Sequence, residues 1–150
     1  MTSSPLGSST VTPIGLVVAN IEEAVAAWSS LLGVTPPKII ITDTVDLAHT
    51  EYQQQPTPAR ARLAFFPLGQ VTLELIEPVG EPSTWNDQLA AAGPSLHHIA
   101  FQIKGMAERI AVLGEQGLPL VQRGDYSGGR YAYLDGQKKF GAVVELLEND

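Results

Sequence analysis

A chain of 150 residues with 44% apolar side chains has enough material for one buried core and lies outside the composition of disordered segments. Its formal net charge of −7, with nine Lys and Arg against sixteen Asp and Glu, lacks the basic footprint of a nucleic-acid binder. The absence of cysteine rules out disulfides, thiolate catalysis and Cys-based zinc sites.

The first ten residues, MTSSPLGSST, are rich in Ser, Thr, Pro and Gly and predict a flexible lead-in ahead of a single domain over residues 11–150. They show neither the basic nor the apolar region of a signal peptide, and no apolar run reaches membrane-spanning length. The expectation is a cytoplasmic protein without membrane or nucleic-acid partners. From Ile14 the run IGLVV reads as a short strand. Asn20, followed three residues later by Glu23, reads as a helix N-cap with its capping-box partner, and Ile21, Ala24, Val25, Trp28, Leu31 and Leu32 recur at helical spacing up to Gly33. Three strands are then expected, near KIIITDTV, RARLAFFPL and VTLELIEP, with DLAHTEYQQQPTPAR as a polar loop in which His49 is plain surface or part of a lid.

The same order returns about 85 residues later. HIAFQI matches PIGLVV, Met106, Ile110 and Leu113 share a helical face, and LPLVQ, GRYAYLD and AVVELLEN supply three more strands. Each half, about 12–78 and 96–149, therefore reads as β-α-β-β-β. Two such units that cannot bury their faces alone are expected to pack by a pseudo-twofold axis, as an α+β fold whose curled mixed sheets surround a shared cavity.

Glu74 in VTLELIE and Glu145 in VVELL occupy the same place in the two halves, inside strands whose faces are largely apolar. A buried carboxylate without a partner costs several kcal/mol, on the order of the penalties for unpaired buried ions. A cation between the two is one common reason, and an arginine partner or a wet groove for each is the other. His98 opens the first strand of its half and can face the same cavity, whereas strand alternation sends His97 to the opposite face as a structural residue. One nitrogen and two carboxylate donors suit a divalent ion of Co, Mn, Ni, Zn or Fe.

The repeat, with IGLVVANIEEAVAAWSSLLGV, VTLELIEP, SLHHIAF and GAVVELLE in this order, resembles the vicinal oxygen chelate (glyoxalase/bleomycin resistance) superfamily over about residues 12–148, with the nearest likeness to methylmalonyl-CoA epimerases. The resemblance implies a glyoxalase-like fold, a homodimer and a divalent metal held by Glu74, His98 and Glu145. It also implies proton abstraction next to a carbonyl of a small acid or acyl-CoA thioester, hence an isomerase, epimerase or lyase, with Glu145 as ligand and base.

Three positions depart from the family pattern. Pro13 stands where the first ligand is usually His, leaving three ligands at most. Arg62 aligns with a carboxylate base of the epimerases, which weakens two-base epimerisation and makes Arg62 a candidate clamp on a substrate carboxylate or enolate oxygen. Asp135-Gly136-Gln137 replaces the family's HPK. In DYSGGRYAYLDGQKK, Arg130 with Lys138 and Lys139 is a candidate rim for an anionic group such as a CoA phosphate, and an ordinary hairpin with solvated charges is the plainer reading. The rival function is a metal-free small-molecule binding protein of the bleomycin-resistance type, which Pro13 and Arg62 favour. Ring-cleaving dioxygenase chemistry needs a second His that this pattern lacks.

Overall fold

The computed structural model describes residues 4–150, so residues 1–3 of the expected lead-in lie outside the described residues. The first half runs β1 (Val11–Val17), α1 (Ile21–Leu32), β2 (Ile40–Ile41), α2 (Val45–Ala48), β3 (Glu51–Tyr52), β4 (Gln55–Pro56), β5 (Arg60–Pro67) and β6 (Thr72–Val79). After α3 (Thr84–Ala92), the second half runs β7 (Ser95–Gln102), α4 (Met106–Glu115), β8 (Leu120–Tyr126), β9 (Gly129–Leu134), α5 (Gln137–Phe140) and β10 (Val143–Asn149).

The two expected sheets are one curled mixed sheet in the order β2-β5-β6-β1-β7-β10-β9-β8-β3-β4. The seam is the antiparallel pair β1–β7, and each of these strands is flanked by the parallel last strand of its own half, β6 or β10. The pseudo-twofold therefore passes between β1 and β7 and brings the Glu-bearing strands to either side of it. The segment between β2 and β5, expected to be one polar loop, instead crosses the cleft. It forms α2 and the small hairpin β3–β4, which pairs with β8 at the far edge. A third helix, α3, joins the halves, capped by Ser83, whose hydroxyl accepts from Asn86 N at 3.0 Å.

Alternation along the strands sorts side chains cleanly. Ala64, Phe66, Leu73 and Leu75 face α1, where Ile21 and Val25 complete a core cluster. Ala132, Leu134 and Leu146 face α4 with Met106 and Leu113, and Leu6 of the expected flexible segment packs on that cluster while the Pro5 carbonyl accepts from Arg109 at 3.1 Å. A third cluster, including Val17, Ala61, Ile76, Trp85, Tyr133 and Val143, fills one end of the cleft between the halves.

The helix N-termini are held by the last strand of the same half. The Glu77 carboxylate accepts from Ile21 N at 3.0 Å, and Glu148 accepts from Gly105 N at 2.6 Å and Met106 N at 3.2 Å. This makes good the weak start of α4, which has Gly105 at φ 77 and no side-chain cap of its own. Arg62 sits opposite Glu77 in the β5–β6 register and bonds to it at 3.1 Å; Arg130 sits opposite Glu148 in the β9–β10 register and bonds to it at 2.9 Å. Each arginine pins a carboxylate to the N-terminal, partially positive end of a helix.

Glu77→Ala and Glu148→Ala should each lower the melting temperature by roughly 2–4 °C, the shift a lost cap of about 1 kcal/mol produces in a domain of this size. Metal affinity should be unchanged in both, as read by thermal melts and metal titration.

Candidate metal centre and its cavity

The concave face of the sheet encloses a cavity of about 400 Å³. Its floor carries Glu74 of β6 and Glu145 of β10, both buried, with His98 of β7 fully buried behind them. His98 Nε2 lies 3.0 Å from Glu74 Oε1 and 3.0 Å from Glu145 Oε2. Donor atoms of the three residues all lie within 4.8 Å of one another.

The register explains the convergence. Gly15 of β1 pairs with Glu74 on one side and His98 on the other, so the three lie in one row across the seam. A Cβ on Gly15 would fall 2.2 Å from His98 Cε1 and 2.5 Å from Nε2. The glycine is the space that the imidazole occupies. Glu145 enters from the neighbouring row, opposite Tyr133, whose ring stacks on His98 with centroids 5.3 Å apart.

His97 is not on the opposite face as strand alternation predicts. The β1–β7 register slips between Gly15/His98 and Leu16/Leu96, leaving His97 as the unpaired residue of a β-bulge. Both rings therefore pack on Tyr133, and the two Nδ1 atoms approach to 2.9 Å. One of them must donate and the other accept. Burial, then the neighbouring His98, holds the His97 imidazole well below its usual range, so it is neutral. With its Nε2 3.1 Å from Thr84 Oγ1, His97 has its Nδ1 lone pair free to accept from His98 Nδ1–H, which turns His98 Nε2 toward the carboxylates.

The electrostatics favour a cation. Burial pushes the His98 imidazole down, but the charge of Glu145 and the approach of both carboxylates more than reverse this and raise it to about 10. Burial raises Glu145, partly offset by His98 and reinforced by Glu74. Two carboxylates against one imidazolium leave the cluster one positive charge short, whereas a divalent ion on neutral His98 balances it. The geometry agrees: His98 Nε2 and Glu145 Oε2 are buried, 3.0 Å apart, and neither makes a hydrogen bond of good geometry. Donors that crowd together without bonding one another fit a shared ion, and the His and two Glu suit the divalent first-row metals.

Pro13 lines the cavity beside this row and contributes no ligand. Arg62 does not enter it. It shares a face with Ala64 and Phe66, toward α1, and is tied to Glu22 and Glu77; the cavity side of β5 is Leu63 and Phe65. Arg130 is likewise on the α4 side, tied to Glu148 and Asp150, while its neighbours Tyr131 and Tyr133 face the cavity. Lys139 reaches the Gln116 carbonyl at the end of α4, so the expected basic rim is not at the cavity. His49 is an exposed residue of the crossing segment, with Nδ1 2.9 Å from Asp125 Oδ2. Trp85 was missed by sequence reasoning. It projects from α3 into the cavity, its Nε1 donating to Tyr133 OH at 3.0 Å.

The family model described as the Glyoxalase/Bleomycin resistance protein/Dioxygenase superfamily matches residues 13–133. The chain belongs to this superfamily. The chain is 30% identical over 138 residues to the uncharacterized protein YqjC of Bacillus subtilis, covering 90% of this chain and 89% of that protein. Its fold is similar to the crystal structures of the hypothetical protein BH1468 from Bacillus halodurans (22% identity, 93% and 94% of the two chains, TM-score 0.65) and of methylmalonyl-CoA epimerase from Mycobacterium tuberculosis (21%, 100% and 93%, 0.61). The glyoxalase-superfamily fold is thus shown by sequence and structure together. Among the described residues, no helix is long and apolar enough to cross a membrane.

Gly15→Ala should weaken divalent metal binding by roughly 10- to 100-fold, the usual range when a ligand loses its support, with the far-ultraviolet spectrum retained. Metal loading at neutral pH must also displace the His98 proton, since that imidazole in the metal-free protein stays protonated up to about pH 10. Affinity should therefore rise with pH and level off above about 10, and calorimetry in buffers of different ionisation enthalpy should show about one proton released per ion near neutrality. An affinity independent of pH between about 6 and 9 contradicts this.

Proposed function

We propose that the protein is a metal-dependent isomerase, epimerase or lyase that removes a proton next to a carbonyl, with Glu145 as base. The observation that carries this reading is the unbonded Glu145 Oε2, buried beside His98 and Glu74 on the floor of an apolar cavity. A divalent ion bound by Glu74, His98 and Glu145 would supply Lewis acidity that makes such a proton easier to remove.

The chain's own groups do the rest. Burial raises the basicity of the Glu145 carboxylate, and the carboxylate oxygen not holding the ion would be left to accept the proton. Burial also keeps the Tyr131 and Tyr133 phenols protonated far above neutrality. Tyr131 OH accepts from Gln122 Nε2 at 3.1 Å and Tyr133 OH accepts from Trp85 Nε1, so neither O–H proton is consumed by these bonds. Both hydroxyls can donate to a developing oxyanion. Because the cavity face of β5 is Leu63 and Phe65 rather than a carboxylate, a second base on the opposite face of the carbanion is missing from that strand. One-base isomerisation or elimination fits better than two-base epimerisation.

The rival reading, a protein that binds and sequesters a small molecule, is favoured by the same apolar β5 face and by Pro13. Incubation of Mn- or Co-loaded protein in D2O with methylmalonyl-CoA and with a series of α-hydroxyketones separates the two. Proton magnetic resonance should show exchange of the α-hydrogen of at least one compound. Glu145→Gln should slow it by about 100-fold or more, the usual contribution of a positioned base. Tight binding throughout the series without exchange supports the sequestering protein instead.

A further inference from the structure

The charges around the cavity are one-sided. Its charged lining residues are Glu74 and Glu145 on the floor and Asp43 and Asp125 at the mouth, and among the described residues no Lys or Arg lines it. The nearby arginines are already engaged: Arg60 Nε donates to the Thr42 carbonyl, Arg123 pairs with Glu51 and with Asp125, offsetting that one acid at the mouth, and Arg62 and Arg130 are spent on the helix N-termini. The walls are aromatic on one side, where Trp85, Tyr131 and Tyr133 pack with centroids 4.8–6.5 Å apart, and apolar on the other. Ile40, Ile41 and Phe65 stay 38–48% exposed at the mouth.

A carboxylate or phosphate entering this space would give up its hydration with no cationic side chain to replace it. A divalent ion held there would have its net charge balanced by the two carboxylates, so it would add no net positive charge to the cavity. An uncharged flat molecule loses little on entry and gains the aromatic wall. We propose that the cavity takes an uncharged, largely apolar carbonyl compound with a flat or ring-shaped body, and discriminates against carboxylates and acyl-CoA thioesters. The selection rests on the lining; only the carbonyl as the group at the cavity floor rests on the proposed function.

The probe is the fluorescence of Trp85, measured in a Trp28→Phe background that removes the other tryptophan. Zinc-loaded protein is titrated with 2-hydroxyacetophenone, with phenylglyoxylate, which is of similar size but anionic, and with methylmalonyl-CoA. The ketone should bind at least tenfold more tightly than either anion. Phe65→Lys, which places a cation at the mouth, should narrow or reverse that ratio while the melting temperature shows the fold intact. Equal or tighter binding of either anion by the unsubstituted cavity, or no measurable binding of the ketone, overturns the inference. Failure of the catalytic reading looks different: the ketone binds preferentially, yet no α-hydrogen exchanges in D2O.

Discussion

Two buried carboxylates from different halves of the chain converge on one imidazole, and the architecture of the molecule follows from making that convergence tolerable. Unpaired buried carboxylates are costly, and a single imidazolium compensates only one of the two. The β1–β7 seam brings the two Glu-bearing strands to either side of a shared axis, Gly15 clears the volume for the His98 ring, and the bulge at His97 supplies a buried acceptor behind it. None of these features improves the packing of an apolar core. A β-bulge, a strand glycine and a fully buried pair of histidines each weaken a sheet taken alone. They make sense together as the support of a cationic centre.

The remaining charges are separated from that centre by the period-two geometry of the strands. On β5 and β9 the arginines take the convex face and bind the Glu77 and Glu148 caps of α1 and α4, while Leu63, Phe65, Tyr131 and Tyr133 take the concave face. One residue of register thus decides whether a strand arginine is a substrate clamp or a helix anchor. The same division leaves the cavity with acids, aromatics and aliphatics. It links the stability of the helices to the chemical character of the site, because the cations that a substrate carboxylate would seek are the ones that hold the helix ends.

Much of the fold was legible from the sequence, because the internal repeat is carried by helical spacing, caps and strand alternation that recur in both halves. Glu74 and Glu145 stood out as charged residues at equivalent places in apolar strands, and the structure brings both against His98. The misreadings have specific causes. Arg62 and Arg130 were placed by alignment to a family pattern and by proximity to glycines, although Ala64, Phe66, Ala132 and Leu134 mark their face as the helix side. The face of His97 was inferred from ideal alternation, which a bulge breaks, and a bulge one residue long leaves no trace in composition. Trp85 and α3 have a readable start in Ser83, but the apolar face of this helix is too weak to announce a docked element. The crossing of α2 and the β3–β4 hairpin over the cleft depends on a two-residue pairing with β8, which no local pattern specifies.

The most direct test of the centre is anomalous diffraction from crystals of the protein loaded with Mn(II), alongside crystals of Glu145→Gln treated identically. A single strong peak bounded by His98 Nε2 and the carboxylates of Glu74 and Glu145, lost or much reduced in the variant, is the predicted result. A cavity floor without a peak after loading would contradict it and leave the three residues as a buried ion cluster of a binding protein.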